Sequence, residues 1–520
     1  MDESPSSSRS GSENNETNAM ISITEAESYL ERCIDSVDVN KLLLYTCVLS
    51  LGNAADAIEI SCIGYIMSEI NDEISTSQME LLSAGIFFGM LVGGLVSGLS
   101  SDMFGRKFIL LCSLATNASA GLASAFAPDV QYLIALRVLG GVGIGGSIPI
   151  IFSLCTEVFP GRLCGQLITV VASFWMVGTI FTAALAWIVF EVFDCSYRVF
   201  AASCSLPIFM TLLLTNVYLP ESPVFLFKKR RFKECVRSLL EFSQVEVDIR
   251  RLLHEPLELA SSVDHEIKPE SSDLHSARGE DVYSILRSPL EYIDDSKKVN
   301  ISIERSESSS YFSGTSGFMH SLTSVLIPLS ETNVRRPLFK LGLIWFALSF
   351  GSYGISTWIS TLFEDIGIGN VYQASLICAI ASLPGNIIAT MYIDKLGRCP
   401  LLIGGMVLAS LAAAGLPLGK DFPLVVVTCA AIFNACSIVG WNALDCLSVE
   451  SFPMEARSTA MGIVSALGRV GAITGQFVNG TLEKNVSLLF FVTSGCMLFG
   501  GLCGFLLDES NGHIHDVRRR

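Results

Sequence analysis

The sequence predicts an all-α membrane protein, with twelve transmembrane helices in two six-helix bundles. Three observations predict it. Half of the 520 residues are apolar and only 16% are charged, too apolar for a soluble chain of this length. Apolar runs of about 20 residues recur, each long enough to cross a bilayer. Six of them precede a long polar gap and six follow it.

Residues 1–40 form a polar, disordered cytosolic N-terminus rich in Ser, Glu and Asn, with no early apolar run of the kind a signal peptide carries. The first bundle, 41–227, holds spans at 43–67, 79–100, 108–127, 131–155, 167–190 and 198–219. The second, 337–508, holds spans at 339–363, 371–391, 401–418, 423–447, 458–480 and 487–507. A cytosolic C-terminal tail follows, 509–520. Basic residues set the orientation. Arg106, Lys107, Arg162, Lys228 to Arg231, Lys395, Arg398, Arg457 and Arg518 to Arg520 fall on one side, which makes that side and both termini cytosolic. The cytosolic loop, 228–336, opens with a basic cluster and the amphipathic run FKECVRSLLEF, then turns Ser- and acid-rich. Its second part reads as a disordered, phosphorylatable linker. Tyr283 to Leu286 fits the YxxΦ form of a sorting signal for a clathrin adaptor.

The net charge of −16 sits mostly outside the apolar runs, and the 16 cysteines lie mostly singly within them. That excludes an acidic soluble enzyme and reads Cys as a small buried apolar residue. No nucleotide loop, metal cluster or nucleophile arrangement appears, so no cofactor, metal, nucleic-acid partner or enzymatic activity is expected.

Asn53, Asp56 and Glu59 recur every three residues on the first span, a polar stripe at bilayer depth. A charge at that depth costs roughly 3 kcal/mol on insertion scales, so these acids are functional candidates. Two of them cannot both stay charged without a cation nearby, which suits coupling to H⁺ or another cation. Arg137, which leads R-xxx-Gly141-xxx-Gly145 in the fourth span, either pairs with these acids or snorkels to the surface. Trp175 and Trp441 can stack on a sugar ring or another flat ligand. Asp445, four residues after Trp441, shares its face and lines the ligand site or gates it.

Two tight turns repeat between the bundles: Gly98, Asp102, Gly105, Arg106 and Lys107 after the second span, and Asp394, Gly397 and Arg398 after the eighth. Glycine permits each turn, the Asp can accept from a helix start, and the Arg can pair with a carboxylate on the opposite bundle. Glu157 with Arg162, and Glu450 with Arg457, are expected as ion pairs that latch one of two states. Pro220-Glu-Ser-Pro223 ends the sixth span.

The duplicated DxxGR turns, RxxxGxxxG, PESP and E-x-F-P-x-x-x-R resemble the sugar-porter and organic-ion branches of the major facilitator superfamily, over about 41–508. ADAIE (55–59), RVLGGVGIGGSIPIIFS (137–153), SLPGNI (382–387) and WNALDCLSVESFP (441–453) resemble synaptic vesicle glycoprotein 2 and its relatives. That resemblance implies two six-helix bundles around a central cavity and alternating access for a small solute, a hexose or organic ion. It also implies a synaptic or secretory vesicle location, or the plasma membrane, with vesicle-fusion proteins as partners. Trp175, Trp441 and Asp445 match its ligand site, and Asp56 and Glu59 its first-span acids. The alternative is a vesicle regulatory protein that keeps the fold and transports little. The large luminal domain of those relatives has no counterpart, since only about 364–371 joins the seventh and eighth spans. Met103, Cys164, Ser465 and Arg469 also depart from the family pattern.

Overall fold

A computed structural model describes residues 28–242, 332–419, 422–452 and 454–507. Tyr283 and Leu286, and most of the linker, lie outside these residues. By internal contacts the chain divides into two units. One comprises residues up to Lys41, Glu157–Arg162 and Ser222–Leu326; the other comprises Leu42–Thr156, Leu163–Glu221 and Ile327–Arg520.

The second unit is built from long helices. Its first half runs α2 (Val39–Glu69), α3 (Thr76–Phe104), α4 (Arg106–Ser124), α5 (Val130–Val158), α6 (Cys164–Ala186, continued as a π turn to Val192) and α7 (Tyr197–Tyr218). Helices α8 (Pro223–Lys228) and α9 (Phe232–Phe242) belong to the other unit. The second half runs α10 (Thr332–Ile366), α11 (Val371–Ile380), α12 (Ser382–Leu396), α13 (Arg398–Leu418), α14 (Pro423–Glu450), α15 (Met454–Leu482) and α16 (Val486–Gly504). Helices α11 and α12 form one span broken at Ala381, where Pro384 removes a backbone donor. Helix suits this composition because only helices and closed barrels satisfy every backbone group in hydrocarbon.

Among the described residues, ten stretches are long and apolar enough to cross a membrane. One of them, Thr459–Gly504, takes in most of α15 and all of α16. Helix α4 falls short because Arg106 and Lys107 open it and Ser113, Asn117 and Ser124 lie along its buried face. The twelve expected spans therefore all appear as helices, with the third, α4, the least apolar of them.

Close packing in the first half rests on glycines. A Cβ on Gly141 would sit 2.2 Å from the Ile86 carbonyl, and one on Gly145 would sit 2.1 Å from the Met90 carbonyl. In the second half α10 packs along α15, and α13 along α14 and α16. The halves meet through α3 with α15 and α6 with α11.

The smaller unit has its own apolar cluster. A short helix over 28–35 (α1) contributes Leu30, Cys33 and Ile34, which pack with Phe225, Leu226, Cys235, Val236 and Leu239 of α8 and α9. Asp35 accepts from the Gly161 backbone N–H at 2.9 Å. Burial pushes the Cys235 thiol up to about 12, so it stays protonated and acts as packing.

Candidate functional site

Two clusters hold the polar residues that the apolar runs do not explain. The first is sealed inside the first half, among α2, α4 and α5. Asp56, Glu59 and Arg137 are all buried, Arg137 at 1% exposure, so Arg137 does not snorkel. It forms an ion pair with Glu59. Asp56 has no cation beside it at ion-pair distance. It accepts instead from Ser147 Oγ at 2.7 Å and Asn117 Nδ2 at 3.3 Å. Two acceptors here, Glu59 Oε2 and Asn117 Oδ1, and two donors, Arg137 Nε and Nη2, have no hydrogen-bond partner. Gly121 and Gly140 line the Glu59 carboxylate; a Cβ at Gly121 would sit 3.0 Å from Glu59 Oε2. Asn53, the third member of the stripe, points elsewhere and donates to the Val171 and Ala172 carbonyls of α6.

The second cluster is aromatic and lies on α10, α14 and α15. Trp441 stands edge-on to Trp345, with ring centres 5.3 Å apart, and its other neighbour is Tyr353 at 5.7 Å. Its indole donates to Ser352 Oγ at 3.1 Å, while the Trp345 indole donates to Ser448 Oγ at 2.9 Å. Tyr353 also meets Phe87 of α3 at 5.1 Å, so this cluster faces the first half. Arg469, mid-way along α15, lies over the Tyr353 ring at 5.7 Å. Asp445 is exposed, near the end of α14, and makes no ion pair among the described residues. Beside Trp441, Asn442 donates to Asn386 at 2.7 Å, and Asn386 donates to Ser173 of α6 at 3.1 Å. Trp175, two residues on, is partly buried and makes no ring contact with Trp441. Of the residues near this cluster, the sequence pointed to Trp441 and Asp445 and not to Trp345, Ser352, Tyr353, Asn386 or Asn442. Serine, tyrosine and amide residues in apolar runs give no signal until helices are paired.

The two turns are built alike. Gly105 and Gly397 have φ of 113° and 90°, a conformation that side-chain-bearing residues avoid, and each opens the following helix. Arg106 pairs with Asp102 at 2.7 Å, and Arg398 with Asp394 at 3.0 Å and Glu450 at 3.1 Å. These pairs stay within a half, contrary to the expectation that the Arg reaches the opposite bundle. The anion at the α4 start is Glu221 of the PESP stretch, not Asp102; it accepts from the Arg106 and Lys107 backbone N–H groups at 2.9 and 3.0 Å. The expected Glu450–Arg457 pair does not form. Arg398 takes Glu450, and Arg457 donates to the Phe452 carbonyl instead. No ion pair joins Glu157 to Arg162. A Cβ at Gly98 would meet nothing within 4 Å.

At the opposite end the halves touch. Tyr372 donates to the Glu69 carboxylate and Ser68 to Glu364. A Cβ on Gly64 would sit 2.5 Å from the Thr357 carbonyl. The α10–α11 connection is only four residues, Gly367 to Asn370, so the short loop expected there is present. All sixteen cysteines are free, and no group of acidic, His or Cys side chains suited to a metal occurs among the described residues. Asn479 and Asn485 each begin an Asn-x-Ser/Thr sequence; Asn479 is buried within α15, and Asn485 caps α16.

Comparison with known proteins agrees with this architecture. The sequence profile of the Major Facilitator Superfamily matches residues 49–476 and 341–514. Human synaptic vesicle glycoprotein 2C is 23% identical over 90% of this chain and 78% of its own length. Rat synaptic vesicle glycoprotein 2A is 24% identical over 90% of this chain and 77% of its own. Among solved structures, the partially occluded inward-open xylose transporter XylE from E. coli aligns with a TM-score of 0.63 at 17% identity, covering 89% of this chain and 99% of that one. A D-xylose–proton symporter aligns with a TM-score of 0.64 at 16% identity, covering 91% of this chain and 99% of that one.

Proposed function

The chain belongs to the major facilitator superfamily, and from that premise we propose that it is a secondary transporter of a small polar organic solute. The coupling ion is H⁺ or another small cation, bound at Asp56 and Glu59 with Arg137 as the fixed counter-charge. One observation carries this reading: Asp56 is buried and held only by the neutral groups of Ser147 and Asn117, beside a Glu59–Arg137 pair in which Glu59 Oε2, Asn117 Oδ1, Arg137 Nε and Arg137 Nη2 all lack a hydrogen-bond partner. Buried polar groups are almost always satisfied, so a buried carboxylate with no cation of its own, among polar atoms left unmatched, suits a proton or cation that comes and goes. The solute lies against Trp441, with Asp445 and Trp175 at its margins. The halves rock about that site. The end carrying the DxxGR turns faces the cytosol, where Arg and Lys concentrate.

The test is uptake of a panel of labelled small polar solutes, hexoses and organic carboxylates among them, into proteoliposomes, with and without an inward proton gradient. Gradient-driven uptake in wild type that disappears in Asp56→Asn is expected. Intact gradient-driven uptake in that variant removes the coupling role. Likeness to the synaptic vesicle proteins along 90% of the chain favours a second reading, a vesicle regulatory protein with the same fold. Deleting 260–330, which removes Tyr283 and Leu286, separates the two. Lost vesicle targeting with normal uptake supports distinct roles for loop and bundle. Unchanged targeting and secretion count against the second reading.

A further inference from the structure

Arg469 sits at the middle of a 29-residue helix in a chain that spans the membrane. Arginines at that depth face the bundle interior and pair with an anion or with backbone carbonyls. Arg137 obeys this rule through Glu59. Arg469 does not. It is half-buried, and no carboxylate among the described residues lies within ion-pair distance of it. Among the described residues it donates to the Tyr353 hydroxyl at 3.5 Å and lies over the face of that ring. Asp445 and Asp56 act on it only across a gap. A guanidinium offers five N–H donors in a planar fork suited to a carboxylate. Here most of that fork is unused.

The surroundings describe the rest of the ligand. Tyr353 links Arg469 to Trp441 and to Phe87 of the other half. The guanidinium therefore lies at one end of an aromatic wall contributed by both halves. We propose that Arg469 is the anion-binding residue of the solute site, and that the solute is a small organic carboxylate with a flat or ring-shaped body stacked on Trp441 and Tyr353. The carboxylate takes the open side of the guanidinium, and the aromatic rings take the body. A neutral sugar would leave Arg469 uncompensated as the site closes, and a cation would be repelled by it. Asp445, near the end of α14, sets how much further charge the solute can carry, so a dicarboxylate is disfavoured. This inference rests on the transporter reading for its site, but it fixes the charge of the solute independently of whether flux occurs.

The test uses the full-length protein in detergent and in proteoliposomes. Thermal shift and calorimetric titration are measured with benzoate, nicotinate and pyruvate, against benzamide, benzylamine and glucose as neutral and cationic controls. Wild type is expected to bind at least one aromatic carboxylate tenfold or more tightly than the matching amide. Arg469→Gln is expected to lose that preference, and Arg469→Lys to keep part of it. Without ligand, Arg469→Gln should melt at the wild-type temperature or above, because an unpaired charge has been removed; a purely structural arginine would give a fall. Equal binding of benzoate and benzamide by wild type, no response to any carboxylate, or an unaltered preference in Arg469→Gln overturns the proposal. Hexose uptake that survives Arg469→Gln also removes the anion while leaving the transporter standing. Carboxylate binding without uptake keeps the anion site and removes transport.

Discussion

The charge cluster of the first half and the aromatic cluster of the second are built on opposite plans. Asp56, Glu59 and Arg137 are fully enclosed, with the cation supplied by the protein itself. Trp441, Tyr353, Asp445 and Arg469 are partly open, and their charges are left apart. An enclosed site can exchange only something very small. An open one with an unused guanidinium can take a molecule. The proposed division of ion coupling and solute recognition between the two regions rests on this difference.

The sharpest way to break that contrast is Arg137→Gln. It strands the Glu59 charge in a buried site, and removing one partner of such a pair costs about 3–5 kcal/mol. Little folded protein is expected by size-exclusion after solubilisation. A melting temperature close to wild type would mean that Glu59 is already neutral and that the first cluster is less rigid than its burial implies. Trp441→Phe probes the other region more gently. It keeps a ring beside Trp345 and Tyr353 but loses the indole hydrogen bond to Ser352, worth about 1 kcal/mol. Ligand affinity should fall several-fold by titration while gradient dependence of uptake stays intact; a change in gradient dependence would show that the clusters are not separable. The smallest effect on stability belongs to Glu450→Gln. Its pair with Arg398 is substantially exposed and worth about 0–1 kcal/mol, so the melting temperature should not move. Accessibility of an introduced cysteine at the Glu69 end should also stay at the wild-type level, because the Arg398–Glu450 pair lies within one half. A fall in accessibility would show that Glu450 latches the state open there.

The first cluster was largely legible in the sequence because charges inside apolar runs are rare and three-residue spacing puts them on one face. The direction of Asn53, which turns to α6, was not. The second cluster was legible only in its outliers, Trp441 and Asp445. Arg469 stood out as a departure from a family pattern, with no indication that it lacks an acidic partner; that depends on what α10 and α14 place around it. Turn glycines were readable because Gly105 and Gly397 recur in one motif. Ion-pair partners were not, since Glu450 lies as readily beside Arg398 as beside Arg457 until α13 and α14 pack together. Glu221 looked like a chain exit because nothing local shows that it meets the α4 backbone.

The contacts at the Glu69 end also bear on how evenly the molecule divides its time. Two hydrogen bonds tie the halves there, Tyr372 to Glu69 and Ser68 to Glu364. At about 1 kcal/mol each they bias the resting equilibrium by about 2 kcal/mol, a ratio of roughly thirty. Complete reversal of a two-state population takes about 5.5 kcal/mol. A bias that small makes the resting molecule a weakly loaded toggle, which modest changes in solute concentration or membrane gradient can tip in either direction.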